Sequence, residues 1–334
     1  MNTRKLGDSG IDTPPIIFGA WAIGGWYWGG TDDAKAVSAI HASIDEGAFA
    51  FDTAPVYGQG HSEAVLGKAV ADRRDKAVIM TKLGLRWDCE DGAHFFDIPP
   101  DEGGGRIFRN LRPESIRYEV EQSLRRLGTE TIDVLQCHWP DPSFPVEESM
   151  HELAKIVQEG KARAVGVSNF GPELLEKAKE ALGSVPLAST QPRYSLLNRR
   201  IERDVLPWLR ENGVGCIVYS PIERGLLAGT VGPERKFPES DGRSYDPMFA
   251  KENRTSVLNA LDGIRGMTEE KGCTFAQLCA AWCFHQPGVT AAIVGARSPG
   301  QARENAAAGR IRLSREESEF LAGHFSGVIQ GRKR

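Results

Sequence analysis

Short apolar segments alternate with amphipathic segments along almost the whole chain, and this alternation restricts the possible folds more than any other feature. The apolar segments predict strands at residues 16–19, 49–52, 78–82, 132–138, 162–168, 189–191, 216–220 and 290–294. The segments between them predict helices at 32–46 with Thr31 as the cap, at 62–70, 113–127 and 146–159, from Pro172 onwards, at 201–212, at 274–286 and finally at 299–308. Strands that alternate with helices form parallel sheets, and eight such units favour closure into a (β/α)8 TIM barrel of the α/β class.

The first residues do not follow this alternation. Gly7 and Gly10 interrupt residues 4–11, which predicts a small β-hairpin that closes the barrel floor. Barrels of this class often exceed about 150 residues as one unit. The whole chain, residues 1–334, is therefore predicted to form a single domain.

Charge and cysteine content exclude several classes of partner. A formal net charge of −4 gives no electrostatic basis for binding nucleic acid or an anionic membrane. No apolar run approaches the roughly 20 residues that span a bilayer, and the first residues lack the pattern of a secretory signal. The six cysteines include no Cys-x-x-Cys pair, which is typical of reduced thiols. We expect a cytoplasmic protein with no nucleic-acid or membrane partner, and either a monomer or a homo-oligomer.

Two long stretches break the rhythm of strands and helices. Residues 84–110 contain no clear element, and residues 226–247 form a second loop. Long loops in compact domains are usually functional or mobile. Because both follow predicted strands, they are expected to be walls or lids of a pocket on one rim, with disordered surface as the alternative.

Three predicted strands end at ionisable residues. Asp52, Lys82 and His138 close the strands at 49–52, 78–82 and 132–138, and Tyr57 follows the first of them. The strands of a parallel barrel end on one rim, so these side chains should converge there. A nearby ammonium lowers the pKa of a phenol, which is about 10 when unperturbed. We therefore predict that Tyr57 is a proton donor acidified by Lys82, with Asp52 holding Lys82 and His138 binding the phenol or orienting a carbonyl oxygen.

Each of these side chains taken alone also fits a structural role. Asp52 could cap a loop or form a structural ion pair with Lys82, His138 could be a core histidine, and Tyr57 could pack on the rim. A different class, a metal-dependent barrel hydrolase or lyase, could use Asp52, His138 and a further carboxylate. No group of residues has metal-ligand spacing, however, and no strand is followed by Gly-x-Gly-x-x-Gly.

The segments around these residues resemble those of the aldo-keto reductase family, over nearly the whole chain. They are Phe51-Asp52-Thr53-Ala54-Pro55-Val56-Tyr57-Gly58 with Ser62-Glu63, Thr81-Lys82, Gln136-Cys137-His138-Trp139-Pro140 and Gly166-Val167-Ser168-Asn169-Phe170. Details at 24–25, 28–30 and 299–301 look most like the bacterial general-stress-protein branch, which is akin to potassium-channel β-subunits. The resemblance implies NAD(P)H-dependent reduction of aldehydes or ketones to alcohols, a reversible hydride transfer. Tyr57 would be the general acid, supported by Asp52, Lys82 and His138.

The resemblance also implies a cofactor site. Ser168 and Asn169, with Gln191, would hold the nicotinamide carboxamide, and Tyr219 would stack under the ring. The other implied contacts are Gly19, Ala20, Trp21, Asp52, Ser220, Pro221, Ile222, Gly225, Leu227, Gly295, Arg297, Ser298, Gln301, Glu304 and Asn305.

The residues around Pro299 support an anion site independently. Gly295 and Ser298 precede a predicted helix start at Pro299, and Arg297 offers a planar fork for a 2′-phosphate. A plain helix cap with a solvated arginine is the alternative. Ser298 and Gln301 stand where many relatives carry cations, so the predicted cofactor is NADPH with NADH as a weaker alternative.

The substrate pocket is the least determined part. Its candidate walls are Trp21, Trp28, Tyr57, Trp87 and Trp139, with Trp26 as a further candidate, and core packing is the alternative for each tryptophan. An aromatic lining suits an apolar or ring-shaped small-molecule carbonyl or alcohol, although sugars also stack on tryptophan. Arg193 could be structural or could touch substrate. The alternative function is a redox-sensing binding module that holds cofactor and turns over slowly.

Overall fold

A computed structural model describes residues 2–25, 28, 30–98, 104–238 and 241–329. In chain order its strands are β1 (Arg4–Lys5), β2 (Asp12–Thr13), β3 (Ile16–Gly19), β4 (Ala50–Asp52), β5 (Val78–Leu83), β6 (Leu85–Arg86), β7 (Ala93–Asp97), β8 (Arg106–Arg109), β9 (Ile132–Cys137), β10 (Ala162–Ser168), β11 (Leu187–Gln191), β12 (Gly215–Val218) and β13 (Ala291–Gly295). Its helices are α1 (Asp33–Asp45), α2 (His61–Val70), α3 (Pro113–Leu127), α4 (Val146–Gln158), α5 (Pro172–Leu182), α6 (Val205–Asn212), α7 (Lys251–Asp262), α8 (Arg265–Lys271), α9 (Phe275–His285), α10 (Pro299–Ala308) and α11 (Arg315–His324). Among these helices none has both the length and the apolar character needed to cross a membrane.

Eight parallel strands close into a barrel in chain order. The order is β3, β4, β5, β9, β10, β11, β12 and β13, and β13 pairs back with β3. The register places Gly19 beside Asp52 and Lys82 beside Gln136. Helices surround the strands, which confirms the predicted (β/α)8 fold and its α/β class.

The N-terminal hairpin lies at the floor of the barrel, as predicted. β1 and β2 pair antiparallel, and the turn between them carries the buried side chains Leu6 and Ile11. These side chains pack with inward-facing residues of the barrel strands such as Ile17 and Val134. A Cβ at Gly7 would lie 2.8 Å from the backbone nitrogen at the start of β12, so this close approach requires glycine. The hairpin thus fills the end of the barrel opposite the strand termini that carry the polar residues.

The prediction that residues 84–110 contain no regular element is wrong. Instead of a loop without elements, β6, β8 and β7 form a three-stranded antiparallel sheet beside the barrel rim. The strands are short, and β7 is irregular between His94 and Phe96, so the sequence lacks a clean alternation. The sheet forms through pairing between segments that are separated along the chain, and such pairing leaves no pattern within any one segment.

Several helix boundaries also differ from prediction. The cap of α1 is Asp32, not Thr31, because its carboxylate accepts a hydrogen bond from the Lys35 backbone nitrogen at 3.1 Å. The predicted helix at 201–212 begins as a 3-10 turn, and α6 itself starts after Asp204. Helices α7, α8 and α11 were not predicted. For α11 the sequence does contain a signal, since Ser314 and Glu317 form a capping box at its start.

The stretch 226–247 largely keeps the irregular backbone that its sequence predicts. Its described residues begin within a 3-10 helix, Glu223–Ala228, and reach another, Pro247–Phe249. Ion pairs between Arg224 and Asp246 and between Arg243 and Asp241 hold it.

Candidate active site

The strand ends bring three of the four predicted catalytic side chains into direct contact. Asp52 is the last residue of β4, Lys82 lies next to the end of β5, and Tyr57 follows in the loop between β4 and α2. Lys82 donates to Asp52 Oδ1 at 2.6 Å, to the Thr53 carbonyl at 2.9 Å and to the Tyr57 hydroxyl oxygen at 3.3 Å. An ammonium has three protons and no acceptor. Because Tyr57 accepts from Lys82, the phenol's own proton remains available for another partner.

Asp52 is buried, with 3% of its surface exposed, and both of its oxygens have partners. Its Oδ1 accepts from Lys82, while its Oδ2 accepts from the side-chain amides of Gln191 at 2.8 Å and Gln136 at 3.3 Å. These bonds fix the carboxylate and, through it, the ammonium. Gln136 is not among the site residues predicted from the sequence. A signal existed, since Gln136 lies two residues after the inward-facing Val134 on β9 and so points to the same side.

The pKa of Tyr57 shifts in the direction opposite to the expected one. Burial, followed by the negative charge of Asp52, raises the pKa of the Tyr57 phenol well above its usual value. The prediction counted Lys82 but neither the desolvation of the phenol nor the carboxylate behind the ammonium. Burial also lowers the pKa of Lys82, although Asp52 opposes that shift. The arrangement therefore keeps Tyr57 protonated, and Lys82 is placed to stabilise a phenolate once the proton has left.

His138 follows the end of β9 and meets Tyr57 edge to face. Their ring centroids are 5.7 Å apart, and the planes make an angle of 82°. The His138 backbone nitrogen donates to the Leu83 carbonyl at 3.0 Å, and its carbonyl accepts from the Asn169 amide at 3.1 Å. Burial and then the charge of Lys82 lower the pKa of His138 well below its usual value. The imidazole is therefore neutral near pH 7 and can donate one ring N–H.

Four of the residues implied as nicotinamide contacts form one hydrogen-bonded group beside this site. Asn169 donates to Ser168 Oγ at 2.9 Å and accepts from the Tyr219 hydroxyl at 3.0 Å. Ser168 in turn donates to the Gln191 carbonyl at 2.7 Å. Asn169 has φ +64° and Ser220 has φ +56°, a left-handed backbone that is uncommon outside glycine and concentrates at functional sites. The group presents amide and hydroxyl partners around a tyrosine ring.

The segment after β12 is held in place by a buried carboxylate. Glu223, which is fully buried, pairs with Arg193 and accepts from Ser195 Oγ at 2.5 Å. Arg193 is thus committed to an ion pair, which favours the structural one of the two roles left open for it. The implied contacts carried by this segment are Ser220, Pro221, Ile222, Gly225 and Leu227; of these, Pro221 and Leu227 are buried and the other three are half-buried.

The start of α10 is a capped helix N-terminus with an open backbone at Gly300. Ser298 caps the helix by accepting from the Gln301 backbone nitrogen at 3.3 Å, and Gln301 Oε1 accepts from the Arg297 backbone nitrogen at 2.9 Å. A Cβ at Gly300 would meet nothing within 4 Å, so a ligand can approach this backbone. The Arg297 guanidinium donates to the Trp28 carbonyl at 2.8 Å, a contact that links this site to the loop after β3.

The other residues implied as adenosine contacts already form hydrogen bonds within the protein. Asn305 donates to the Gly295 carbonyl at 3.0 Å. Glu304 already accepts from the Thr274 hydroxyl at 3.0 Å. At the other end, Gly19 and Ala20 are buried, and Ala20 donates its backbone N–H to the Asp52 carbonyl at 2.8 Å.

The candidate pocket walls divide into two groups. Trp21 and Trp28 meet edge to face at 5.4 Å and line a cavity of about 320 Å³. Trp87 and Trp139 belong instead to an apolar cluster that includes Tyr57, where Phe95 of β7 lies 5.2 Å from Trp139. The side sheet thus supplies a wall beside the phenol. Trp26 lies outside the described residues.

The cavity has a polar side formed mainly by residues of the stretch 226–247, which is expected to be a wall or lid, although none of these residues is among the predicted pocket walls. Opposite Trp21 and Trp28 it is lined by residues of the stretch after β12, which are Arg224, Asp241, Gly242, Arg243, Tyr245, Asp246 and Pro247. The Arg243 guanidinium lies 5.4 Å from the Trp28 ring. The Trp21 ring lies 6.2 Å from that of Tyr57, so this cavity and the phenol share a wall.

In the described ranges, no group of three or more His, Cys, Asp or Glu side chains is arranged to hold a metal ion. The metal-dependent alternative therefore has no ligand set in that part of the chain.

The chain belongs to the aldo-keto reductase family, whose model (Aldo/keto reductase family) matches residues 15–324. It is accordingly an NAD(P)H-dependent oxidoreductase of the type that reduces carbonyl groups. Coverage of residues 1–14 and 325–334 by the same domain stays a prediction.

Individual relatives span nearly the whole chain. Aldo-keto reductase YhdN of Bacillus subtilis (strain 168) is 36% identical over 304 residues, covering 90% of this chain and 86% of the relative. The NADH-specific methylglyoxal reductase of Escherichia coli (strain K12) is 35% identical over 327 residues, with coverages of 96% and 97%. The structure of the glycerol dehydrogenase AKR11B4 from Gluconobacter oxydans aligns with a TM-score of 0.87 at 40% identity, covering 99% and 97%. Relatives named as reductases and a dehydrogenase do not favour the slow binding module.

Proposed function

We propose that the chain reduces small polar aldehydes or ketones, with Tyr57 as the general acid and NADPH as the preferred cofactor. The contact that carries the proposal is the Lys82 ammonium, which donates to both Asp52 and the Tyr57 oxygen. It leaves the phenolic proton directed away from Lys82. It also places a positive charge where the phenolate would form.

The residues around the barrel rim fit a nicotinamide dinucleotide. Ser168, Asn169 and the Tyr219 hydroxyl form one hydrogen-bonded group, which Gln191 joins through its backbone carbonyl. At the start of α10 the backbone of Gly300 is open to a ligand, three residues after Arg297. A bound dinucleotide would supply the hydride. Ser168, Asn169 and Gln191 would hold its carboxamide, Tyr219 would stack on its ring, and the start of α10 would bind its phosphates.

The proton transfer is assigned to Tyr57. As the carbonyl carbon gains hydride, its oxygen gains negative charge and takes the proton of the Tyr57 hydroxyl, which gives the alcohol. Lys82 stabilises the resulting phenolate, and Asp52 holds Lys82. The neutral imidazole of His138 donates a hydrogen bond that orients the carbonyl oxygen, and solvent then returns a proton to Tyr57.

The proposed substrate class follows from the cavity beside Tyr57. A volume of about 320 Å³ suits a small molecule, and two arginines and two aspartates face the tryptophans. These groups form the ion pairs Arg224–Asp246 and Arg243–Asp241, which make this side of the cavity polar, so we propose small polar carbonyls as substrates instead of apolar, ring-shaped ones. Relatives named for methylglyoxal and glycerol support this choice.

The preference for NADPH rests on Arg297, which is exposed at the start of α10. Two observations argue against a strict preference: Ser298 and Gln301 supply no second positive charge for a 2′-phosphate, and one relative is named as NADH-specific. We therefore propose NADPH as the better cofactor and NADH as a weaker one. The six cysteines are all unpaired, which supports the proposed cytoplasmic location.

The test uses Tyr57→Phe, which removes the proton and keeps the ring. We expect kcat for reduction of a small hydroxyaldehyde to fall by about 100- to 10,000-fold, since general acid catalysis contributes on that scale. Cofactor affinity, followed by quenching of protein fluorescence, should stay within about twofold of the wild type because the ring contacts remain. Turnover at the wild-type level would remove Tyr57 as the acid, and faster reduction of bulky apolar ketones would overturn the substrate class.

A further inference from the structure

The strand that carries Lys82 is tied to a neighbouring helix by a buried carboxyl. Glu119 lies on the inner side of α3 and is 3% exposed. Its Oε1 accepts from the Gly84 backbone nitrogen at 2.9 Å. Gly84 directly follows the end of β5 with φ +90°, and a Cβ there would lie 2.4 Å from the Leu111 side chain. Glu119 therefore holds the point at which the chain turns away from the barrel, two residues after Lys82.

The same point controls the position of His138. The Leu83 carbonyl, between Lys82 and Gly84, accepts from the His138 backbone nitrogen at 3.0 Å. The register pairs Lys82 with Gln136 and Leu83 with Cys137. A shift of Gly84 relative to α3 would therefore move both the ammonium and the imidazole relative to Tyr57.

The Glu119 carboxyl has too few hydrogen bonds to stabilise a negative charge in this buried position. Its Oε2 is buried and has no hydrogen-bond partner among the described residues. A carboxylate buried with a single backbone donor is poorly stabilised, whereas the neutral acid still accepts from Gly84 through Oε1.

We propose that Glu119 is a positioning residue for Lys82 and His138, an inference that rests on the proposed function. Its neutral carboxyl fixes the end of β5 against α3. Loss of the proton would place a charge in this dry contact, draw in water and loosen the strand end. The proposal therefore predicts an alkaline loss of turnover that does not depend on Tyr57.

The surrounding charges agree with this assignment. The groups that act on Glu119 are Arg86 and Asp88 in and after β6, Glu63 on α2 and the backbone N–H of Gly84, while Cys137 on β9 feels the charge of Glu119 in turn. Burial, the largest influence, raises the pKa of Glu119 to about 8, with Asp88 and Glu63 adding to the rise. Arg86 opposes the rise, but its guanidinium is already bonded to Asp88 at 2.6 Å.

The experiment compares Glu119→Gln with Glu119→Leu across pH, using Glu121→Gln as the control. Glu121 lies on the solvent side of the same helix, paired with Lys161. In the wild type and the control, kcat at saturating cofactor and substrate should fall about fivefold or more as pH passes 8. Glu119→Gln keeps the acceptor and cannot ionise, so its kcat should match the wild type at pH 7 and remain level beyond pH 8. Glu119→Leu leaves Gly84 without its acceptor, and its kcat should be about tenfold lower at all pH values with an unchanged KM for cofactor.

Two results would overturn the proposal: an unchanged alkaline fall in Glu119→Gln, or wild-type kcat in a folded Glu119→Leu. If Glu119→Leu fails to fold, the pH profile of Glu119→Gln alone decides. Failure of the proposed function would appear separately, as retained turnover in Tyr57→Phe, whereas the Glu119 variants keep the Tyr57 hydroxyl.

Discussion

The Lys82→Met variant tests how the charge of the ammonium contributes to the reaction. Met has a similar length but no charge and no donor, so the contacts to Asp52, the Thr53 carbonyl and Tyr57 are lost together. A unit charge 3.3 Å from a phenolate interacts with it by about 5 kcal/mol at an effective dielectric constant of about 20. Asp52 offsets part of this, and loss of a single preorganised donor typically costs about 2.7–4 kcal/mol. We therefore expect kcat to fall by about 100- to 1,000-fold.

Loss of stability could produce a similar fall, so the design separates the two effects. Removing Lys82 leaves Asp52 buried and charged, which should lower the free energy of unfolding by about 3–5 kcal/mol. The double variant Asp52→Asn/Lys82→Met removes both charges and should recover most of that stability. Its kcat should stay low, because the positive charge near Tyr57 is still missing.

The assay follows oxidation of the reduced cofactor at saturating concentrations, with urea unfolding measured on the same samples. Lys68→Met, at an exposed lysine of α2, is the control and should leave both kcat and stability close to wild type. The reasoning is refuted if Lys82→Met keeps kcat within about threefold of wild type. It is also refuted if the double variant recovers turnover together with stability, since the ammonium would then be needed only for folding.

Four further predictions address other residues. Arg297→Ala should raise the KM for NADPH about tenfold or more and that for NADH little, with Arg297→Lys intermediate, because a lysine keeps the charge but not the fork; equal changes for both cofactors would argue against a 2′-phosphate contact. The pH profile of kcat should show no inflection near 6.5, because burial and a neighbouring ammonium keep His138 neutral; an inflection there that disappears in His138→Asn would contradict this. Burial raises the pKa of Glu119 from 4.5 to about 8, so the folded protein favours the neutral carboxyl. Its full contribution to the free energy of unfolding is present below pH 4.5 and is lost as pH rises to about 8, a loss of up to about 5 kcal/mol relative to Glu119→Gln. Urea midpoints of the two proteins that stay parallel across that range would show that the shift is absent. Arg193→Met should cost about 3–5 kcal/mol of stability, which Arg193→Met/Glu223→Gln recovers, as expected for a structural ion pair; a loss of substrate affinity without loss of stability would instead place Arg193 in the pocket.

The barrel could be predicted because its signal is repeated. Each strand of the barrel is a short apolar run that is visible alone, and eight of them in alternation with helices leave few other folds. Asp52, Lys82 and Tyr57 could be brought together on the same basis, since parallel strands end on one rim. The side sheet at 85–109 could not, because its strands pair with one another and none of them is an apolar run. β6 has two residues, and β7 and β8 mix charged and apolar side chains without a regular alternation.

Glu119 shows a different limit of prediction from sequence. On α3 it is one of several glutamates, and nothing in the spacing distinguishes it from the half-buried Glu121 two positions later. Only the packing of α3 against the end of β5 shows that one carboxyl is buried on Gly84 while the other reaches solvent. Contacts between a helix and the following turn of a barrel strand are set by tertiary structure.

The sign of the Tyr57 shift changes the physical explanation of catalysis. An ammonium beside a phenol favours the phenolate, but here two opposing influences outweigh it. Burial is the larger of them and the negative charge of Asp52 is the second, and together they raise the pKa of Tyr57. A phenol with a raised pKa is nevertheless a suitable donor, because it is always protonated when substrate arrives. Lys82 then contributes after the proton starts to move, because its ammonium, 3.3 Å from the phenol oxygen, stabilises the negative charge that develops there. Since the hydrogen bond from Lys82 already points at that oxygen, little rearrangement is needed, and the site favours the transition state more than the resting phenol.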